Sequence, residues 1–204
     1  MKKGFIFFVL LVACGFLLSF INTSAGTELG LNAPMPMADE KMKDVSGKEV
    51  SLNTSKTSKG ILVIFSSNTC PYVKLSETRI KELSDECSKQ GVGCIIINSN
   101  EAQRADEDSF DAMVKYAAAQ KLNCAYVVDA NSKIADAFGA TRTPQCFLFN
   151  VKGLVYKGAI DDNVKDPAAA KAHYLKDAID AVAKNETPNM QETKSIGCTI
   201  KRVE

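Results

Sequence analysis

Residues 61–74 read ILVIFSSNTCPYVK, and the fold turns on how this stretch divides. Ile61 to Phe65 is a continuous apolar, largely β-branched run, the pattern of a short strand buried on both faces. Four polar residues follow, and then Cys70 meets Pro71. Proline suits the first turn of a helix, where its missing N–H would be unpaired anyway, and Val73, Ile80, Leu83 and Cys87 recur near helical spacing until Gly91 stops the pattern. Cys70 therefore sits where a strand hands over to a helix. A thiol there faces unpaired backbone N–H groups and the positive end of the helix dipole, which favour thiolate over thiol. Lys74, one turn on, and Arg142, if the fold brings it near, would add positive charge. These are the conditions for a nucleophilic cysteine. The alternative is a small buried residue, since free cysteine packs well in cores. That packing reading is preferred for Cys87, Cys94, Cys124 and Cys146, which lie in or beside apolar segments without a helix start.

Working outward, Asp44 to Asn53 (DVSGKEVSLN) reads as a hairpin turning at Ser46-Gly47, with Val45, Val50 and Leu52 facing inward. After the Cys70 helix come a strand at Gly93 to Asn98 and a helix at about Asp108 to Lys121, whose acidic start is explained as a solvated first turn. A strand at Ala125 to Val128 and a short helix at Ser132 to Phe138 lead to Thr143-Pro144 and a strand at Cys146 to Phe149. A hairpin through Val151-Lys152-Gly153 reaches Leu154 to Lys157, and Ala168 to Lys184 is a last amphipathic helix. This order predicts one α/β domain over residues 44–184, a mixed central sheet with helices on both faces. Residues 26–43 read as a linker, and 185–204 as a tail that packs locally through Ile196-Gly197-Cys198-Thr199-Ile200.

Length and composition agree with one domain plus extensions, at 204 residues and 46% hydrophobic content. Twenty-five basic against 24 acidic residues give a formal charge of +1, so no global field points to nucleic acid or to an anionic surface. Lys2 and Lys3 precede an uncharged run of 18 residues from Gly4 to Ile21, which marks residues 1–25 as an export signal and the periplasm or cell envelope as the destination. Three fates stay open. They are cleavage after Ala25, with Thr23 and Ala25 as the small residues; retention as the only membrane anchor; and lipidation at Cys14, where Leu11-Val12-Ala13-Cys14 resembles a bacterial lipobox. The competing reading of Cys14 is filler in an apolar run. With one histidine and no Cys-x-x-Cys or His-x-x-x-His pair, no metal site or other cofactor is expected. His173, on the last helix, reads as a packing or surface residue, and Asp161-Asp162-Asn163 as turn chemistry.

The hairpin, the strand ending in Cys-Pro, the alternating segments and Thr143-Pro144 before a late strand together resemble the thioredoxin-like fold. More narrowly, they resemble the redoxin group of extracytoplasmic thiol-disulfide oxidoreductases and AhpC/TSA-type peroxiredoxins. The resemblance implies a cis Pro144 lying against a nucleophilic Cys70, in a site shaped by Thr69, Pro71, Arg142, Thr143 and Pro144 where a partner's extended chain docks. It also implies a protein disulfide or a peroxide as substrate, and a thiol reductant as second partner. Three departures stand out. Val73 replaces the second cysteine of a thioredoxin-type Cys-x-x-Cys, Val63 stands where a peroxiredoxin has proline, and Ser67 stands where it has threonine. A resolving thiol must come from elsewhere. Cys198 is the candidate, because it follows Gly197 in a tail able to fold back, and long loops close at little extra entropic cost; burial that merely anchors the tail is the competing reading. Three functions follow: thiol-disulfide exchange first, peroxide reduction second, and a non-catalytic binding module with a structural Cys70–Cys198 disulfide third.

Overall fold

The structure is a computed structural model that describes residues 27–203. Residues 1–25, expected to be an export signal, and Cys14 within them lie outside the described residues. The hairpin is present as β1 (Met42–Asp44) and β2 (Glu49–Val50), paired antiparallel. Leu52 is buried from a short helix, α1 (Leu52–Ser55), because Ser51 and Thr54 close a reciprocal capping box that starts a helical turn. There follow β3 (Ile61–Ser66), α2 (Pro71–Lys74), α3 (Glu77–Gln90), β4 (Gly93–Asn98), α4 (Phe110–Ala119), β5 (Ala125–Val128) and α5 (Lys133–Phe138). The chain then forms β6 (Arg142–Thr143), β7 (Gln145–Phe149), β8 (Leu154–Gly158), α6 (Tyr174–Ala183) and β9 (Cys198–Thr199).

Seven strands form one sheet in the order β2-β1-β5-β4-β3-β7-β8, while β6 and β9 pair separately. β3, β4 and β5 run parallel, and β1, β7 and β8 pair antiparallel with their neighbours. Alternation along β3 divides the core. Leu62 and Ile64 face a layer built with Ile80 and Leu83 of α3, Met113 of α4 and Ile179 of α6. Ile61, Val63 and Phe65 face α1 and α5, where Phe65, Phe138, Phe147 and Phe149 meet edge to face. Each fully buried aliphatic or aromatic side chain contributes roughly 1.5–3 kcal/mol from water exclusion. Both faces being covered explains why β3 is an unbroken apolar run. Among the described residues, no helix is long and apolar enough to cross a membrane.

The architecture is the mixed sheet with helices on both faces that the element order predicts, with differences at its joints. β1 begins at Met42, inside the stretch expected as a linker. The preceding residues lie on the core through Leu29, Leu31 and Met35, with backbone bonds from Leu29 to Phe138 and between Asn32–Ala33 and Leu154. The helix after Cys70 is broken into α2 and α3. There the Ser76 hydroxyl donates to the Tyr72 carbonyl, and the Ser76 N–H bonds one residue short, to Val73. The last helix starts at Tyr174, not Ala168. Asp162 accepts from the Lys171 N–H and bonds back to the Ala172 carbonyl, so the alanine-rich start spends its backbone groups on the neighbouring loop.

Candidate active site

The loop between β3 and α2 is held from below by a polar network. Asp108, fully buried, accepts from the Asn68 N–H at 2.8 Å, from Asn98 Nδ2 at 2.7 Å and from Asn100 Nδ2 at 2.8 Å. The Tyr126 hydroxyl donates to Asn68 Oδ1 at 2.9 Å and accepts from Asn98 at 3.0 Å. Burial, with Asp108 adding to it, pushes the Tyr126 phenol above its ordinary range, so it remains a neutral donor. Asp108 was expected in a solvated helix start. The structure corrects this: Asp108 is buried, and the donors aimed at its carboxylate offset the cost of taking it out of water. Asp108, Asn68, Asn98 and Tyr126 are positioning residues that the sequence reading missed.

At the end of that loop the Cys70 N–H donates to Ser67 Oγ at 3.0 Å, and the Cys70 thiol donates to the Thr143 carbonyl at 3.0 Å. The Thr143–Pro144 bond is cis. Across the site, β9 pairs antiparallel with β6, Thr143 opposite Cys198 and Arg142 opposite Thr199. The pairing places Cys198 Sγ 2.6 Å from Cys70 Sγ. Gly197 is required at this approach, because a Cβ there would overlap the Thr143 carbonyl oxygen. Beyond Cys198, the Ile200 N–H reaches the Thr141 carbonyl, and Ile200 is buried. The Lys201 N–H donates to Asn100, and Arg202 bonds Asp136 and the Ala140 carbonyl. The tail therefore covers Cys70, which is only 4% exposed.

The two sulfurs differ in character. Burial works against the Cys70 thiolate, but the Cys198 thiol, then Thr143, then the Val73 and Cys198 backbones outweigh it and hold Cys70 below the ordinary thiol range. The Thr143 hydroxyl is buried and has no hydrogen-bond partner among the described residues; the contact between Cys70 and Thr143 runs from the thiol to the Thr143 carbonyl. Burial and the adjoining Cys70 side chain push Cys198 up. The arrangement keeps a proton on Cys198 while Cys70 ionises.

Neither expected cation takes part. Lys74 Nζ pairs with Glu77 at 2.8 Å and lies over the Tyr116 ring. Arg142 is exposed and donates weakly to the Gly197 carbonyl at 3.4 Å, so it steadies the tail strand. Thr69 and Pro71 flank the thiol and are exposed, while Pro144 is buried beside it. His173 is an exposed residue at the start of α6.

A family profile described as the AhpC/TSA family matches residues 33–157. Among solved structures, a hypothetical protein from Sinorhizobium meliloti is 33% identical with a TM-score of 0.72, over 80% of this chain and 91% of that one. An uncharacterized conserved protein from Geobacillus kaustophilus is 27% identical with a TM-score of 0.76, over 87% of this chain and 96% of that one. A secreted disulfide oxidoreductase from Mycobacterium tuberculosis is 18% identical with a TM-score of 0.53, over 72% and 97%; with it the chain shares the thioredoxin-like fold. No curated protein matches.

Proposed function

The chain belongs to the AhpC/TSA family of redoxins, and from that footing we propose that it is an exported thiol-disulfide oxidoreductase whose nucleophile is Cys70 and whose resolving thiol is Cys198. The observation that carries the reading is the pair of sulfurs at 2.6 Å, one at a strand-to-helix turn and the other on a strand paired with Thr143. In the first step the Cys70 thiolate attacks one sulfur of a partner disulfide, forming a mixed disulfide and expelling the first partner thiolate. Cys198 then gives up its proton and attacks Cys70, which releases the second partner thiolate and leaves a Cys70–Cys198 disulfide. Two electrons have passed to the partner, and an external thiol reductant returns them. Export rests on Lys2, Lys3 and the apolar run to Ile21, and a location in the periplasm or cell envelope follows from it.

A second reading, peroxide reduction, draws on the coverage of Cys70 by the tail, since a hydroperoxide needs far less room than a protein chain. In that case the Cys70 thiolate attacks the terminal peroxide oxygen, the O–O bond breaks and the alcohol leaves, and Cys198 condenses with the resulting sulfenic acid, releasing water and forming the Cys70–Cys198 disulfide. One experiment addresses both readings. Reduced protein is alkylated across a pH series and read by mass at every cysteine. The Cys198→Ser variant is then offered a protein disulfide or an organic hydroperoxide. The expected result is fastest alkylation at Cys70 with an apparent pKa below the ~8.5 of a free thiol, and a trapped mixed disulfide in the variant. A trapped sulfenic acid with no mixed disulfide selects the peroxidase. A Cys70 that reacts with neither substrate overturns both and leaves a binding module.

A further inference from the structure

Cys94 and Cys124 are not sealed in the core, as the packing reading has them; both are half-buried. β4 and β5 run parallel with Ile95 opposite Ala125 and Ile96 opposite Tyr126. That register brings Cys94 and Cys124, each one residue earlier, side by side where the ladder opens. Both turn to the sheet face that carries α3, packing on the layer that holds Leu62, Ile96 and Tyr126. The chain next to Cys124 is fixed, because Ser84 donates to Asn123 Oδ1 at 2.9 Å and Asn123 Nδ2 donates to Asp85 at 2.7 Å. Adjacent strands lie ~4.8 Å apart, within the roughly 4.4–6.8 Å window of Cα separations that a disulfide spans. Among the described residues no group is arranged to hold a metal ion.

We propose that Cys94 and Cys124 are a second redox pair, separate from Cys70 and Cys198, that a small-molecule disulfide closes into a cross-strand disulfide. The Cys124 thiolate attacks the oxidant, giving a mixed disulfide and one free thiolate. Cys94 loses its proton and attacks the Cys124 sulfur, releasing the second thiolate; two electrons have left the pair and reduced the oxidant to two thiols. The order of the steps follows from Cys94, whose proton the Cys124 and Cys87 side chains, together with burial, hold well above the ordinary thiol range. An exported chain meets such oxidants routinely.

The test uses the full chain carrying Cys70→Ser and Cys198→Ser, incubated with oxidised glutathione, alkylated and digested with trypsin without reduction. Cleavage after Lys81, Lys89, Arg104, Lys121 and Lys133 places Cys87, Cys94 and Cys124 on separate peptides. The expected product joins peptide 90–104 to peptide 122–133 and is two hydrogens lighter than their sum. The same link must form in the unsubstituted chain, which serves if the double variant fails to fold, and must vanish in Cys124→Ser. Recovery of Cys94 and Cys124 as alkylated thiols or separate glutathione adducts overturns the proposal, as does a link from either to Cys87.

Discussion

At Cys70 the thiolate is supported by dipoles instead of cations, and the hydroxyl of Thr143, whose carbonyl meets the thiol, is buried without a partner among the described residues. Thr143→Val keeps shape and removes that donor. A buried hydroxyl free to turn toward the thiolate stabilises it, so the loss raises the apparent pKa of Cys70 alkylation. The sign follows from the charge, since fewer donors leave the thiolate less stable while the thiol is untouched. Alkylation against pH, read at Cys70 by mass, checks it; an unshifted profile refutes the role given to the hydroxyl. The placement of Cys70 at a strand-to-helix turn and the cis bond at Pro144 were legible in the sequence because their signals are local, a strand running into Cys-Pro and a proline before a late strand. Lys74 misled because position alone suggested a free charge, whereas Glu77, one turn on, holds it. The Thr143 hydroxyl carried no signal at all, since its role exists only once residues 70 and 143 meet.

Two elements hold the site in register, and each has a single vulnerable point. On β9, Gly197→Ala drives a methyl group into the Thr143 carbonyl, so the strand must lift from β6 and carry Cys198 away from Cys70. Oxidised Gly197→Ala protein should show slower formation of the Cys70–Cys198 link by non-reducing mapping, together with faster alkylation of Cys70 as the cover loosens. Under the β3–α2 loop, Asp108→Asn replaces an acceptor by a group that presents N–H to donors from Asn68, Asn98 and Asn100. The cost expected is about 1–3 kcal/mol, visible in urea denaturation, with weaker protection of the loop amides from exchange. Regular elements were readable where period and punctuation agree, as in β4 and β5, whose bounds match the sequence expectation. The start of α6 was not, because alanine-rich helix propensity there yields to Asp162, a tertiary partner that no local pattern reveals.

Across the whole molecule, ion pairs tie the layers together, and the Arg79–Asp161 pair is buried. Arg79 of α3 bonds Asp161 at 2.5 Å and the Asn163 and Val164 carbonyls. Lys157 of β8 joins Glu28 near the start of the described chain at 3.2 Å and Glu192 in the tail at 3.4 Å. Removing Arg79 leaves the buried Asp161 charge alone, so Arg79→Ala should cost about 3–5 kcal/mol. Thermal unfolding of reduced protein measures this, and a loss within ~0.5 kcal/mol, as at a surface site, contradicts the reading. The mooring of the tail on both sides of Cys198, through Thr193 and Lys157 before it and Ile200 to Arg202 after it, bears on traffic through the site. Tethered groups meet at effective concentrations in the millimolar range or above. With Cys198 as resolving thiol, a dissolved thiol must reach comparable levels to compete for a complex formed at Cys70. Partner complexes of the unsubstituted chain should therefore be short-lived, and the redox cycle needs no second subunit.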